Sequence, residues 1–237
     1  MTWSIVARDP RTNAFGVAIS TRFFAVGALC PYALGGVGAL STQALVNPTY
    51  GPRGLRLLQE GVPAADVVAI LIGSDPGRAH RQLHVVDGAG RVAVHTGDEC
   101  IDWCGHVTGD GFSVAGNMLA GPWVVADTAA AYTANIDQPF AERLIHALEA
   151  GEAAGGDKRG KQSAALIIYS TEEYPELSLR VDDHPDPLRE LQRLYAKSQE
   201  RFVHFMKFFA RRDWPGGVFD RAVIEAEIAR HAPPDSR

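Results

Sequence analysis

The chain has 237 residues, 46% of them hydrophobic and 22% charged, the proportions of a globular protein long enough to bury a substantial core as one large domain. Twenty-three Lys and Arg stand against 28 Asp and Glu, a formal net charge of −5 with no long block of either sign, which argues against a nucleic-acid partner. No apolar run approaches the ~20 residues that span a bilayer, the N-terminus lacks the basic and apolar segments of a signal peptide, and Cys30, Cys100 and Cys104 form an odd, sparse set unlike a secreted disulfide framework, so no membrane association and a cytoplasmic location are expected.

Trp3 to Arg8 and Phe15 to Arg22 are runs rich in aromatic and β-branched residues on either side of Asp9-Pro10-Arg11-Thr12-Asn13, which predicts a β-hairpin at the start of the chain. Phe23 to Gly27 is too apolar for water and is expected as a buried loop or strand end. Gly35 to Ala44 predicts a strand whose small residues admit a neighbouring backbone or a ligand, stopped by Asn47-Pro48-Thr49-Tyr50-Gly51-Pro52. Two helices are expected next, from about Gly54 to Glu60 and after Pro63, the second with Val67, Val68, Leu71 and Ile72 on one face.

Leu83 to Asp87 and Arg91 to His95 flank Asp87-Gly88-Ala89-Gly90 and predict a second hairpin. Gly111 to Asn117 predicts a short strand, Trp123 to Ala134 and Phe140 to Ala150 two helices, and Gln162 to Tyr169 a nearly continuous apolar strand followed by Leu177 to Val181. Strand groups alternating with helix pairs predict antiparallel sheets with helices layered outside them. The character changes at Asp182, so the expected division is a body over 1–181 and a helical extension over 182–237. Asp186 and Pro187 suit a helix cap and first turn. Phe202, Phe205, Phe208, Phe209, Trp214 and Phe219 form an aromatic load that must be covered by the body or by a neighbouring subunit, which predicts a homo-oligomer.

Several stretches resemble one bacterial family, DUF1028: Thr2-x-Ser4-Ile5-Val6-Ala7-Arg8-Asp9, Gly16-Val17-Ala18, Thr42-Gln43-Ala44-Leu45-x-Asn47-Pro48-x-Tyr50-Gly51, Gly116-Asn117-x-Leu119-x-Gly121, Gly155-Gly156-Asp157-x-Arg159-Gly160-x-Gln162-Ser163-Ala164-Ala165 and Val181-Asp182-Asp183-His184-Pro185-Asp186-Pro187. The resemblance runs from Met1 to about Leu194. It implies an α+β fold similar to the N-terminal nucleophile (Ntn) hydrolases, a four-layer αββα sandwich of two antiparallel sheets between helix pairs.

That fold needs a Thr, Ser or Cys at the exposed terminus, and removal of Met1 would supply Thr2, whose hydroxyl and α-amine make a nucleophile with its own base. With Met1 retained, Thr2 is an ordinary strand residue, and Ser4 is a weaker substitute. Asn117 is expected between a strand and a helix, as an oxyanion donor or as a capping residue. Gln43 can bind a substrate amide or satisfy buried backbone. Asp157, Arg159, Gln162 and Ser163 gather before the apolar strand, where Arg159 either grips a substrate carboxylate or pairs with Asp157. Arg8 and Arg22 are further candidates for an anion pocket. Asp182, Asp183, His184 and Asp186, and Cys100, Cys104, His106 and His95, lack the spacing of a metal site, so neither metal nor cofactor is expected. The resulting expectation is a cofactor-independent amidohydrolase acting on a small, anionic, nitrogen-containing metabolite. The rival is a non-catalytic binding or assembly protein of the same fold with Met1 retained.

Overall fold

A computed structural model describes residues 2–231. The chain opens as β1 (Thr2–Arg8) and β2 (Phe15–Thr21), paired antiparallel from Thr2–Thr21 to Arg8–Phe15. β3 (Pro31–Leu34) and β4 (Gly38–Ala44) follow, then α1 (Tyr50–Gln59) and α2 (Ala64–Gly73). Next come β5 (Arg81–Asp87), β6 (Val92–Thr96), β7 (Trp103–Gly109) and β8 (Phe112–Leu119). After α3 (Trp123–Ala134) and α4 (Phe140–Ala153) the strands resume as β9 (Ser163–Tyr169) and β10 (Leu177–Val181), and α5 (Pro187–Glu200), α6 (Phe202–Met206) and α7 (Arg221–His231) close the described chain.

The strands form two antiparallel sheets, six-stranded in the order β10-β9-β2-β1-β8-β7 and four-stranded in the order β3-β4-β5-β6. β1 lies inside the larger sheet and is buried on both faces, because one face meets the smaller sheet and the other meets α4 and α3. Val6, Phe15, Val17 and Ile167 interleave with Ala33, Ala39 and Val86 between the sheets. On the far side of the smaller sheet, Tyr50, Leu58, Val67, Val68 and Leu71 of α1 and α2 cover Leu40, Leu83 and Val85. Two glycines permit the close layering: a Cβ on Gly16 would lie 2.6 Å from Leu144 of α4, and one on Gly54 of α1 would lie 2.6 Å from Leu40.

The structure departs from the sequence reading in several places. β3 and β7 are edge strands outside that reading: β3 is only four residues, Pro-Tyr-Ala-Leu, too short and uniformly apolar to show alternation, and β7 is of mixed composition. α1 begins at Tyr50 and not near Gly54, since Pro52 falls in the first turn, where its missing N–H costs nothing. Phe23 and Phe24 are exposed, not buried. By compactness the chain divides into two units after Leu191, within α5.

In the second unit, Arg201 pairs with Glu225 at 2.5 Å and Lys207 with Glu227 at 3.1 Å, and Phe205 meets Phe209 edge to face. The aromatic load is not uniformly covered: Phe202, Trp214 and Phe219 are exposed, Phe219 by 89%. No helix among the described residues is long and apolar enough to cross a membrane.

Candidate functional site

Pairing places Thr2, the first described residue of β1, between Thr21 of β2 and Asn117 of β8. These three residues, with Gln43 and Ala44 from the end of β4 and Arg159 from the loop before β9, line a cavity of about 400 Å³. Thr2 is 8% exposed, and its Oγ1 lies 3.0 Å from Thr21 Oγ1. The rest of the wall is mainly apolar: Phe23, Val26, Leu29 and Cys30 after β2, Leu45 and Val46 after β4, and Cys100 and Ile101 before β7, with Met118, His80 and Glu99.

Beneath the cavity, a chain of buried polar side chains crosses between the sheets. Ser4 Oγ donates to Gln43 Oε1 at 2.7 Å, so it must accept from His84 Nε2 at 2.8 Å. His84 therefore carries its proton on Nε2, and Nδ1 accepts from Ser113 Oγ at 2.7 Å. Burial is the main reason that His84 is pushed down to about 3, with the nearby His106 adding to the effect, so the ring is neutral at ordinary pH. Gln43 Nε2 donates onward to Gln82 Oε1 at 2.8 Å and to the Ala115 carbonyl at 3.1 Å. Gln82 Nε2 donates to Thr96 Oγ1 at 2.9 Å and to the Gly116 carbonyl at 2.9 Å, which fixes its orientation.

The direction of this chain orients Asn117. Its Nδ2 donates to Gln82 Oε1 at 3.0 Å, because the reverse orientation would set two carbonyl oxygens against each other. Asn117 Oδ1 is then buried with no hydrogen-bond partner among the described residues, a costly state for an acceptor. The expectation of Asn117 at a strand-to-helix junction is corrected: it lies within β8, and α3 starts only at Trp123, so no helix N-terminus converges on it.

The remaining candidates separate clearly. Asp157 Oδ2 is 3.1 Å from Arg159 Nη2, Oδ1 accepts the Arg159 backbone N–H at 2.9 Å, and Oδ2 accepts that of Arg22 at 2.8 Å. The internal ion pair thus exists, and it fixes the loop that carries Arg159 to the cavity. Arg22 does not line the cavity; its guanidinium donates to the Arg159 carbonyl. Gln162 donates to Asp183 Oδ1 at 3.0 Å. Ser163 is fully buried, donates to the Phe23 carbonyl at 2.5 Å and accepts from the Val26 N–H at 3.2 Å, so it holds the wall without facing the cavity. Arg8 sits at the other end of β1, bonded to Asn13, away from Thr2. Ser4 is fully buried between the sheets.

The polar clusters have structural partners. Asp182 pairs with Arg180 at 2.8 Å and Asp186 with Lys161 at 3.0 Å, while His184 Nδ1 accepts the Asp186 N–H at 3.0 Å. Cys100 Sγ donates to the Arg81 carbonyl and Cys104 Sγ to the Cys100 carbonyl. Among the described residues, no group of three or more His, Cys, Asp and Glu is placed to hold a metal ion. Burial pushes the Cys30 thiol up to about 12, so it is no thiolate.

Sequence reasoning missed Asp75, Gln82 and His84. Asp75 is buried after α2 and accepts from Tyr50 Oη at 2.7 Å, Asn47 Nδ2 at 3.0 Å, Arg81 Nε at 3.0 Å and the Gly77 N–H at 2.7 Å. It thereby anchors the segment after β4 that carries Leu45 and Val46. Gln82 and His84 had a signal: they alternate with Leu83 and Val85, two polar residues on one face of an otherwise apolar strand.

A mixed α+β protein of two facing antiparallel sheets, with a threonine at the start of a central strand and in a cavity wall, is the class that the fold and site define. The chain belongs to the DUF1028 family, described as a family of unknown function, whose model matches residues 2–191. A crystal structure of protein SPO2555 from Silicibacter pomeroyi, of the same family model, is 32% identical with a TM-score of 0.86, covering 93% of this chain and 96% of that one. Anbu (ancestral beta-subunit) from Yersinia bercovieri is 13% identical with a TM-score of 0.39, covering 83% of this chain and 94% of that one, a likeness too slight to carry an argument. No curated protein matches the chain.

Proposed function

We propose that the protein is a cofactor-independent Ntn-type amidohydrolase, built as an αββα sandwich, that cleaves an amide bond in a small, anionic, nitrogen-containing metabolite. The observation that carries this reading is the presence of Thr2, Gln43, Asn117 and Arg159, from four distant parts of the chain, in the wall of one cavity. After removal of Met1, the Thr2 α-amine, with an ordinary pKa of about 8, takes the proton of Oγ1 as that oxygen attacks the amide carbon. The oxyanion is held by the second Nδ2 hydrogen of Asn117 and by backbone N–H groups. As the C–N bond breaks, the proton passes from the α-amine to the leaving nitrogen. Water then cleaves the Thr2 ester and restores the hydroxyl. The orphaned Asn117 Oδ1 is suited to accept a hydrogen of the α-amine and orient its lone pair, and Arg159 supplies positive charge for the substrate's anionic group.

Intact mass of the native protein and a screen of amide metabolites against wild type and Thr2→Ala test this reading. Loss of one Met together with activity that vanishes in a folded Thr2→Ala protein supports it. Uniform retention of Met1 overturns it and favours the second reading, a non-catalytic binding or assembly protein, for which the observation is that Thr2 Oγ1 is already bonded to Thr21 and scarcely exposed. The proposal extends to a cytoplasmic homo-oligomer, motivated by the exposed rings of Phe202, Trp214 and Phe219; a monomer mass by light scattering at working concentration would remove that part.

A further inference from the structure

The cavity wall contains more apolar surface at its mouth than a small polar metabolite can use. Phe23, Leu45 and Ile101 all line the cavity and are 56%, 63% and 60% exposed, and Leu29 adjoins them. They come from three loops, so their convergence is not a by-product of one amphipathic element. Backbone strain marks the same segments. Among the described residues, five other than glycine have positive φ: Asn13 in the first hairpin turn, Ala25 at 54°, Ala44 at 69°, Asp102 at 57° and Met118 at 56°. Ala44 and Met118 line the cavity, and Ala25 and Asp102 each adjoin a lining residue, Val26 and Ile101. Each such conformation is strained for a residue with a Cβ, and persists because the surroundings hold it, as Asp75 holds the segment after β4 and Ser163 the segment after β2.

We infer that the acyl half of the substrate is an apolar chain of medium length, lying along Val26, Leu29, Leu45, Val46 and Ile101, so that the substrates are N-acyl amino acids. This inference rests on the reading of the cavity as an amide-cleaving site with Thr2 at the scissile carbon. The amide then lies at Thr2 and Asn117, the acyl chain leaves the polar end along the apolar wall, and the carboxylate of the amine half falls to Arg159. The volume of about 400 Å³ is within the range of cavities that enclose a small ligand.

The test is isothermal titration calorimetry of the full-length Thr2→Ala protein, which binds without turnover, with acetyl-, butanoyl-, hexanoyl- and octanoylglycine. Burial of each methylene is worth about 0.8 kcal/mol, so affinity is expected to rise about fourfold per added methylene. Leu45→Ser and Ile101→Ser, both at exposed positions, should weaken octanoylglycine several-fold and acetylglycine much less. Equal affinity across the series overturns the inference even if wild type hydrolyses acetylglycine, in which case the hydrolase reading survives alone. A clear chain-length dependence with no hydrolysis of any member by wild type leaves the ligand class standing and removes the hydrolase reading. If no acylglycine binds, the inference fails, and a lower assembly mass in Leu45→Ser then makes the apolar mouth a contact between copies of this chain.

Discussion

Thr2, Gln43 and Asn117 are carried to the cavity on strands, scarcely exposed and tied to their neighbours, whereas Phe23, Leu45 and Ile101 stand on loops with more than half of each side chain in solvent. The first group owes its position to strand register, which cannot slip without turning every side chain of a buried strand to the wrong face. The second owes its position to a few polar anchors under strained backbone. Alterations to the anchors and to the polar chain should therefore be costly, and alterations to the mouth should be cheap in stability while still changing what binds.

The largest effect is expected at Asp75. Burial alone would raise its carboxyl, but hydrogen bonds from Tyr50, Asn47, the Gly77 N–H and Arg81 outweigh it and hold the group well below the usual carboxylate range. The carboxylate thus stabilises the fold fully above its unfolded value near pH 4, and that contribution is lost as pH falls through the depressed folded value. Asp75→Ala leaves the guanidinium of Arg81 without its carboxylate and should cost about 3–5 kcal/mol in urea denaturation. It should also loosen the Leu45 segment; an unchanged denaturation midpoint would show that this loop is held by something else.

Gln82→Leu comes next. It removes the acceptor shared by Gln43 and Asn117 and leaves buried amide hydrogens unpaired, a loss of about 1–3 kcal/mol. If chemical denaturation shows less than about 0.5 kcal/mol, the polar chain between the sheets contributes little to stability.

The strands that carry Thr2 and Gln43 are legible because alternation and turn residues announce them, and Asn117 and Arg159 stand out as candidates through the strand end and the dense polar group in which they lie. What was not legible depends on contacts distant in sequence. Asp75 is one acidic residue after a helix until Tyr50 and Arg81 meet it, and nothing local distinguishes it. The apolarity of Phe23 and Phe24 suggests a core, yet Ser163 and the turn at Val26–Ala28 hold this loop so that both rings face outward. Asn117 was expected beside a helix because the strand's last residues, Met118 and Leu119, resemble a helix start as readily as a strand end.

The polar chain also has a titrating member. The His84 ring takes up its proton only near pH 3 in the folded protein, against an ordinary value of 6.5, so the unfolded chain binds the proton first. Stability is therefore complete above about pH 6.5 and declines as pH falls toward 3, by about 1.4 kcal/mol per pH unit at most from this group. His84→Gln should flatten that part of the pH profile; an identical slope in the variant would assign the acid sensitivity to carboxylates such as Asp75.

The smallest expected change in stability is at Phe23, and it tests the comparison within a single loop. Val26, three residues on, is 2% exposed, packs with Ile19, Cys30 and Ala165, and has its N–H on Ser163 Oγ. Phe23 is 56% exposed, and the contact that fixes its backbone is made by its carbonyl, which any residue supplies. Phe23→Ser should therefore alter unfolding free energy by no more than about 0.5 kcal/mol, while Val26→Ser removes a buried side chain and should cost about 1.5–3 kcal/mol. If the two variants lost stability equally, the Phe23 ring would be part of the core in solution, and the loop-borne mouth would be a buried structure that a ligand or a second copy could reach only after it opened.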